Sequence, residues 1–87
     1  MTKTEKIKHV TSSVIAFMNA LGYKVVDDNS GTLTFDNGNG DSKNYIEYSR
    51  STQSVYVLNW CDEETKLVEN KLVKFVKQMV SYVWLTK

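Results

Sequence analysis

Between residues 4 and 21, apolar side chains return every three or four positions: Ile7, Val10, Val14, Phe17, Met18 and Leu21. At 3.6 residues per turn these positions form one stripe, with Lys8, Ser12, Ser13, Ala16 and Asn19 on the other side. Thr2 followed by Glu5 has the spacing of a capping box, and Gly22 stands where a helix end favours glycine. The pattern predicts a first helix over about Thr4 to Leu21.

The period then shortens to two. Tyr23–Asp27, Thr32–Phe35, Tyr45–Arg50 and Val55–Trp60 are rich in β-branched and aromatic residues and are joined by polar links. These are strand signals. No helical pattern lies between them, so an antiparallel meander is expected in place of parallel crossovers. At Asp62 the helical period resumes. Asp62 is an N-cap residue, and Glu63 and Glu64 place acids in the first turn. Val68, Leu72, Phe75, Val76, Met79, Tyr82 and Val83 make an apolar face that Val73, Val80 and Trp84 widen. Lys66, Asn70, Lys74, Lys77 and Ser81 form the polar side.

The order is helix, four strands, helix, which predicts an α+β two-layer sandwich with both helices on one face of the sheet. Residues 1–87 read as a single domain. Alternation assigns Val25, Leu33, Phe35, Ile46, Tyr48, Leu58 and Trp60 to the core side. It sends Thr32, Thr34, Tyr45, Glu47, Val55 and Val57 the other way. An outer face carrying Tyr45, Val55 and Val57 is partly apolar, with no further element to cover it. The layout is similar to that of small secretion-chaperone-like and phage accessory folds.

Composition adds limits. With 41% hydrophobic and 24% charged residues the chain belongs with globular domains and not with disordered ones. No apolar run is long enough to span a membrane. The first ten residues carry lysines with no apolar segment behind them, so no secretion signal is expected. A single cysteine cannot form an intramolecular disulfide, and a reducing cytoplasm is the expected location. Lysine far outnumbers arginine, which would suit an AT-rich coding sequence, as in many Gram-positive bacteria and their phages.

The net charge of +1 conceals segregation. Lysines dominate residues 1–26 and 70–87, and acids dominate 27–47 and 62–69. In the last two blocks this order of acids then bases complements a helix macrodipole.

The most motif-like stretch is FDNGNGDSKNYIE, residues 35–47. Counted from Asp36 as an EF-hand loop, it keeps the first ligand and the last, Glu47, but has glycine at the third and fifth positions. Gly38 and Gly40 lack the third glycine, the lysine and the helix of a nucleotide loop. The Asn-Gly pairs instead suit the tip of a hairpin. Cys61 precedes a helix start, where amides can depress a thiol pKa, but three acids crowd the same place and the one histidine, His9, is far off in sequence. One cysteine and one histidine make no zinc site. Asp27/Asp28 and Glu63/Glu64 read as turn and helix-start residues and not as an acid–base pair.

No catalytic residue, metal or cofactor is expected, and the chain reads as a non-enzymatic protein-binding or accessory module. A homodimer and a phage or mobile-element accessory protein both fit. The contact residues would be Tyr45, Val55 and Val57 on the outer sheet face, or Val80 and Trp84 on the last helix, because apolar positions exceed what one face buries. The alternative is weak nucleic-acid binding through Lys66, Lys74 and Lys77.

Overall fold

The computed structural model describes residues 1–29, 31–38 and 42–85. The elements are α1 (Lys3–Ala20), β1 (Lys24–Asn29), β2 (Thr32–Asp36), a 3-10 turn at Ser42–Asn44, β3 (Ile46–Ser49), β4 (Ser54–Val57) and α2 (Glu63–Leu85). The expected α+β order is therefore present.

Both helix starts are capped as their sequences suggest. The Glu5 amide donates to Thr2 Oγ1 at 3.1 Å, and the Thr2 amide donates to Glu5 Oε1 at 3.0 Å. At α2 the Thr65 amide donates to Asp62 Oδ1 at 2.8 Å. α1 ends in a Schellman arrangement. The Tyr23 amide donates to the Met18 carbonyl at 2.9 Å and the Gly22 amide to the Asn19 carbonyl at 3.0 Å. Gly22 sits at φ +88°, which a side chain would make costly.

The four strands pair antiparallel in chain order, β1-β2-β3-β4. Leu33 stands opposite Tyr48, which stands opposite Val55; Phe35 stands opposite Ile46, which stands opposite Val57. These residues share the helix-covered face. Leu33, Phe35, Ile46 and Tyr48 are closed off from solvent there, together with Val10, Val14 and Met18 of α1 and Leu72, Val76 and Val83 of α2. The Phe17 and Phe75 rings stack at 4.5 Å, and the Lys6 ammonium lies 5.7 Å from the centre of the Trp84 ring. Those two contacts fix α1 and α2 as antiparallel neighbours.

The register corrects the expected faces. Val55 and Val57 do not lie on the uncovered side; both pack partly against the core. The uncovered side instead carries Asp27, Thr34, Glu47 and Tyr56 in one row and Asn29, Thr32, Ser49 and Ser54 in the next. It is a polar surface that water can cover. Trp60 is 69% exposed and not in the core, and Leu58 is only half-buried beyond the strand. The cause is a one-residue error of parity. β4 stops at Val57, and the chain turns there, the Cys61 amide donating to the Leu58 carbonyl at 3.1 Å. Counting back from Trp60 therefore inverts every assignment in the strand. Tyr45 precedes β3 and is half-buried, so it belongs to neither face of the strand. Tyr82, expected on the apolar side of α2, is 65% exposed.

Candidate functional site

The two edges of the sheet differ in kind. β1 carries Lys24, Asp27 and Asp28 and has a bulge between Val25 and Asp27. Charges and bulges are the usual means of blocking an edge strand from pairing further. The sole arginine adds to this end of the sheet: Arg50 pairs with Asp28, donates to the Asn29 carbonyl at 3.1 Å, and its amide donates to the Gly31 carbonyl at 2.8 Å. β4, Ser-Val-Tyr-Val, has no charge, no bulge and no proline. Among the described residues no strand pairs with its outer side.

Beside β4 the helical layer stops short. Val55 and Val57 are half-buried, whereas their neighbours Tyr48 and Ile46 in β3 are sealed. Across from them the flank of α2 presents Val73 and Val80, also half-buried. Two adjoining hollows of about 410 and 260 Å³ lie in this seam. Their walls are Gln53, Val55, Val73, Val76, Lys77 and Val80. Of the residues singled out from sequence, Val55 lines the smaller hollow and Val80 the adjoining larger one. Val57 lies two residues along the same strand. Trp84 packs partly against the core beneath Lys6, within the range of a cation–π contact, and Tyr45 lines neither hollow.

Val73, Val76 and Tyr56 were not singled out as contact residues, although the signal for them was available. Val73 and Val80 are seven residues apart and so share a helix flank. Tyr56 alternates with Val55 and Val57 and is 53% exposed on the polar side of the sheet.

The three lysines named for nucleic-acid binding are all exposed on α2. They do not form one cluster. Lys66 and Lys77 share the flank next to β4, Lys74 lies nearer the centre of the solvent side, and Lys66 has Glu69 at 3.9 Å. The open sheet face offers no basic surface to join them, since Asp27 and Glu47 stand on it.

The remaining candidates stay apart. His9 is exposed on α1, and the antiparallel helices place it beside the C-terminal half of α2. Cys61 precedes the other end of that helix, on the order of 25 Å away at 1.5 Å per residue. Among the described residues no group of three His, Cys, Asp or Glu side chains could hold a metal ion. Of the stretch that looked most like a ligand loop, Asn39, Gly40 and Asp41 lie outside the described residues. The link does join antiparallel strands, and its far end is anchored by Asn44, whose Oδ1 accepts from the Thr65 hydroxyl at 3.1 Å. Around that tie, burial raises the Tyr23 hydroxyl above its ordinary 10.0, with Glu64, Asp62 and Asp36 adding to the effect. Hydrogen bonding to Thr65, whose amide donates to its Oδ1, lowers Asp62 below 3.8.

No helix among the described residues is long and apolar enough to cross a membrane. No family model matches the sequence, and comparisons with curated proteins and with solved structures return no match.

Proposed function

We propose that this chain is a non-enzymatic protein-binding module whose contact surface is the seam between β4 and the flank of α2. One observation carries the reading: half-buried valines face one another across an open hollow beside the one sheet edge that has no charge, bulge or proline. Apolar surface in that state gains from being covered, at roughly 25 cal/mol per Å² removed from water. Uncharged strand edges add backbone donors and acceptors in a fixed row. The role would be that of an accessory protein acting in the cytoplasm, encoded by a phage or mobile element, as the lysine-rich composition suggests.

The test is a photo-crosslinking amino acid placed at Lys77, on the rim of the hollow, with the same group at Lys8 on the exposed side of α1 as control. Protein crosslinks from position 77 and not from position 8 are expected in a lysate of a bacterial host. Equal or no crosslinking at the two positions would overturn the reading.

The second reading, nucleic-acid binding, rests on the exposure of Lys66, Lys74 and Lys77. It requires retention on nucleic acid that falls steeply with salt. The acids on the open sheet face and the scatter of the lysines favour no retention even at about 50 mM salt, where phosphate contacts are strongest.

A further inference from the structure

Resting on the reading of the β4–α2 seam as a protein contact, we infer that its occupant is a second copy of this chain, joined to the first by antiparallel pairing of β4 with β4.

The strand is self-complementary in one register. Antiparallel pairing about a two-fold axis through Tyr56 sets Tyr56 opposite Tyr56 of the other copy and Val55 opposite its Val57. Inward residues then meet inward residues, so both pairs of helices stay on the same side of one continuous eight-stranded sheet, twice the four strands of each chain. A register shifted by one residue would set inward against outward side chains. Of the neighbouring registers that keep parity, the one centred on Val55 sets Ser54 against Tyr56 and Val57 against Gln53, where the backbone already leaves the strand at φ 53°, and the one centred on Val57 sets Tyr56 against Leu58, beyond the strand's end. Only the axis at Tyr56 uses Val55, Tyr56 and Val57 in full.

Side-chain chemistry agrees with this register. Cross-strand pairs of aromatic or β-branched residues stabilise a sheet, and like charges placed opposite one another destabilise it. Tyr56 against Tyr56 and Val against Val include no charge. The same symmetry at β1 would bring Asp27 and Asp28 against their own copies beside a bulge, so the contact is confined to β4. Tyr56, the large exposed aromatic on an otherwise polar sheet face, gains a partner.

Strand pairing alone is too small, since a stable dimer takes about 800 Å² from each partner. The flank of α2 supplies the remainder. The axis that pairs the strands sets the two α2 flanks antiparallel across the joined sheet, so the seam of each copy, with Val55 and Val73 at its smaller hollow, faces the flank of the other. Lys77 lines both hollows and is exposed, and a lysine there can lay its carbon stem on apolar surface with its ammonium in water.

The experiment uses the full chain, with sedimentation equilibrium and oxidative crosslinking. The native chain is expected at twice its 10.0 kDa mass at micromolar concentrations. Tyr56→Lys is expected to shift it to monomer by at least tenfold in dissociation constant. Within one chain the new lysine faces Glu47, so the fold keeps its thermal midpoint, while in the dimer it faces itself. In a Cys61→Ser background, Tyr56→Cys is expected to form an intermolecular disulfide on mild oxidation, because directly opposed residues have Cα atoms within bonding range. Glu47→Cys, one strand further in, is expected not to.

A native monomer at 100 µM, or a dimer that Tyr56→Lys leaves intact and Tyr56→Cys does not link, would overturn the inference. Position-77 crosslinks to other proteins from such a monomer would leave the binding reading standing and replace the occupant. Loss of both would remove the two together.

Discussion

The Thr65 hydroxyl donates to Asn44 Oδ1 at 3.1 Å, with both side chains closed off from solvent. This bond ties the first turn of α2 to the end of the link between β2 and β3, elements that lie 21 residues apart. Removing one partner leaves the other buried and unpaired, at a cost of about 1–3 kcal/mol. Thr65→Val and Asn44→Leu should each lower stability by that amount in urea unfolding. The double variant should lose less than the sum, because the second substitution removes a group that already lacked its partner.

Trp60 and Trp84 should report opposite environments. Trp60 is 69% exposed, whereas Trp84 packs against the core below Lys6. The Trp84→Phe protein should emit at long wavelength and be quenched readily by acrylamide. The Trp60→Phe protein should emit further to the blue and resist quenching. Identical quenching of the two would contradict the fold at both places.

The corrected parity of β4 carries a stability prediction. Trp60→Ser should change the unfolding free energy by less than about 0.5 kcal/mol, the usual range for a surface site. Phe35→Ala, on the sealed side of β2, should cost about 3–5 kcal/mol. Chemical denaturation of the Trp60 variant decides between the observed parity of β4 and its one-residue alternative, and Phe35, inward on either, sets the scale for a core loss.

Stability should fall at both ends of the pH scale. Asp62 is held below its ordinary 3.8 in the folded chain by hydrogen bonding to Thr65, whose amide donates to its Oδ1 at 2.8 Å. Its contribution is therefore present above pH 4 and is lost as pH falls through the lowered value. Burial holds Tyr48 above 10.0, with Thr11 offsetting part of the effect. The folded state keeps that proton longer than the unfolded one, so stability is intact below pH 10 and declines as pH rises through the raised value. Thermal melts should show a shallower acid limb for Asp62→Asn and a shallower alkaline limb for Tyr48→Phe.

Much of the architecture was legible in the residues because local rules and tertiary packing agree there. Thr2 with Glu5, Gly22 and Asp62 mark the helix ends by bonds that need no distant partner. The links between the strands, too short for crossovers, fix the meander. The face of β4 was not legible, for a reason specific to the strand. Val55, Tyr56, Val57 and Leu58 are all apolar, so the run has no polar position to show which way it alternates. Pairing with Ile46 and Tyr48 settles it, and that is a long-range fact. The seam was half legible: Val80 stood out on the helix and Val55 on the strand, but that they line adjoining hollows depends on how far α2 reaches across the sheet.

The helix that packs on the sheet beside β4 is synthesised only after all four strands. Until α2 leaves the ribosome, the sheet has only α1 above it, and Leu33, Phe35, Ile46 and Tyr48 face a layer that is half built. The nascent chain therefore passes through a stage with an open apolar floor and an unguarded strand edge together. Its safety at that stage depends on how promptly the 23-residue α2 arrives.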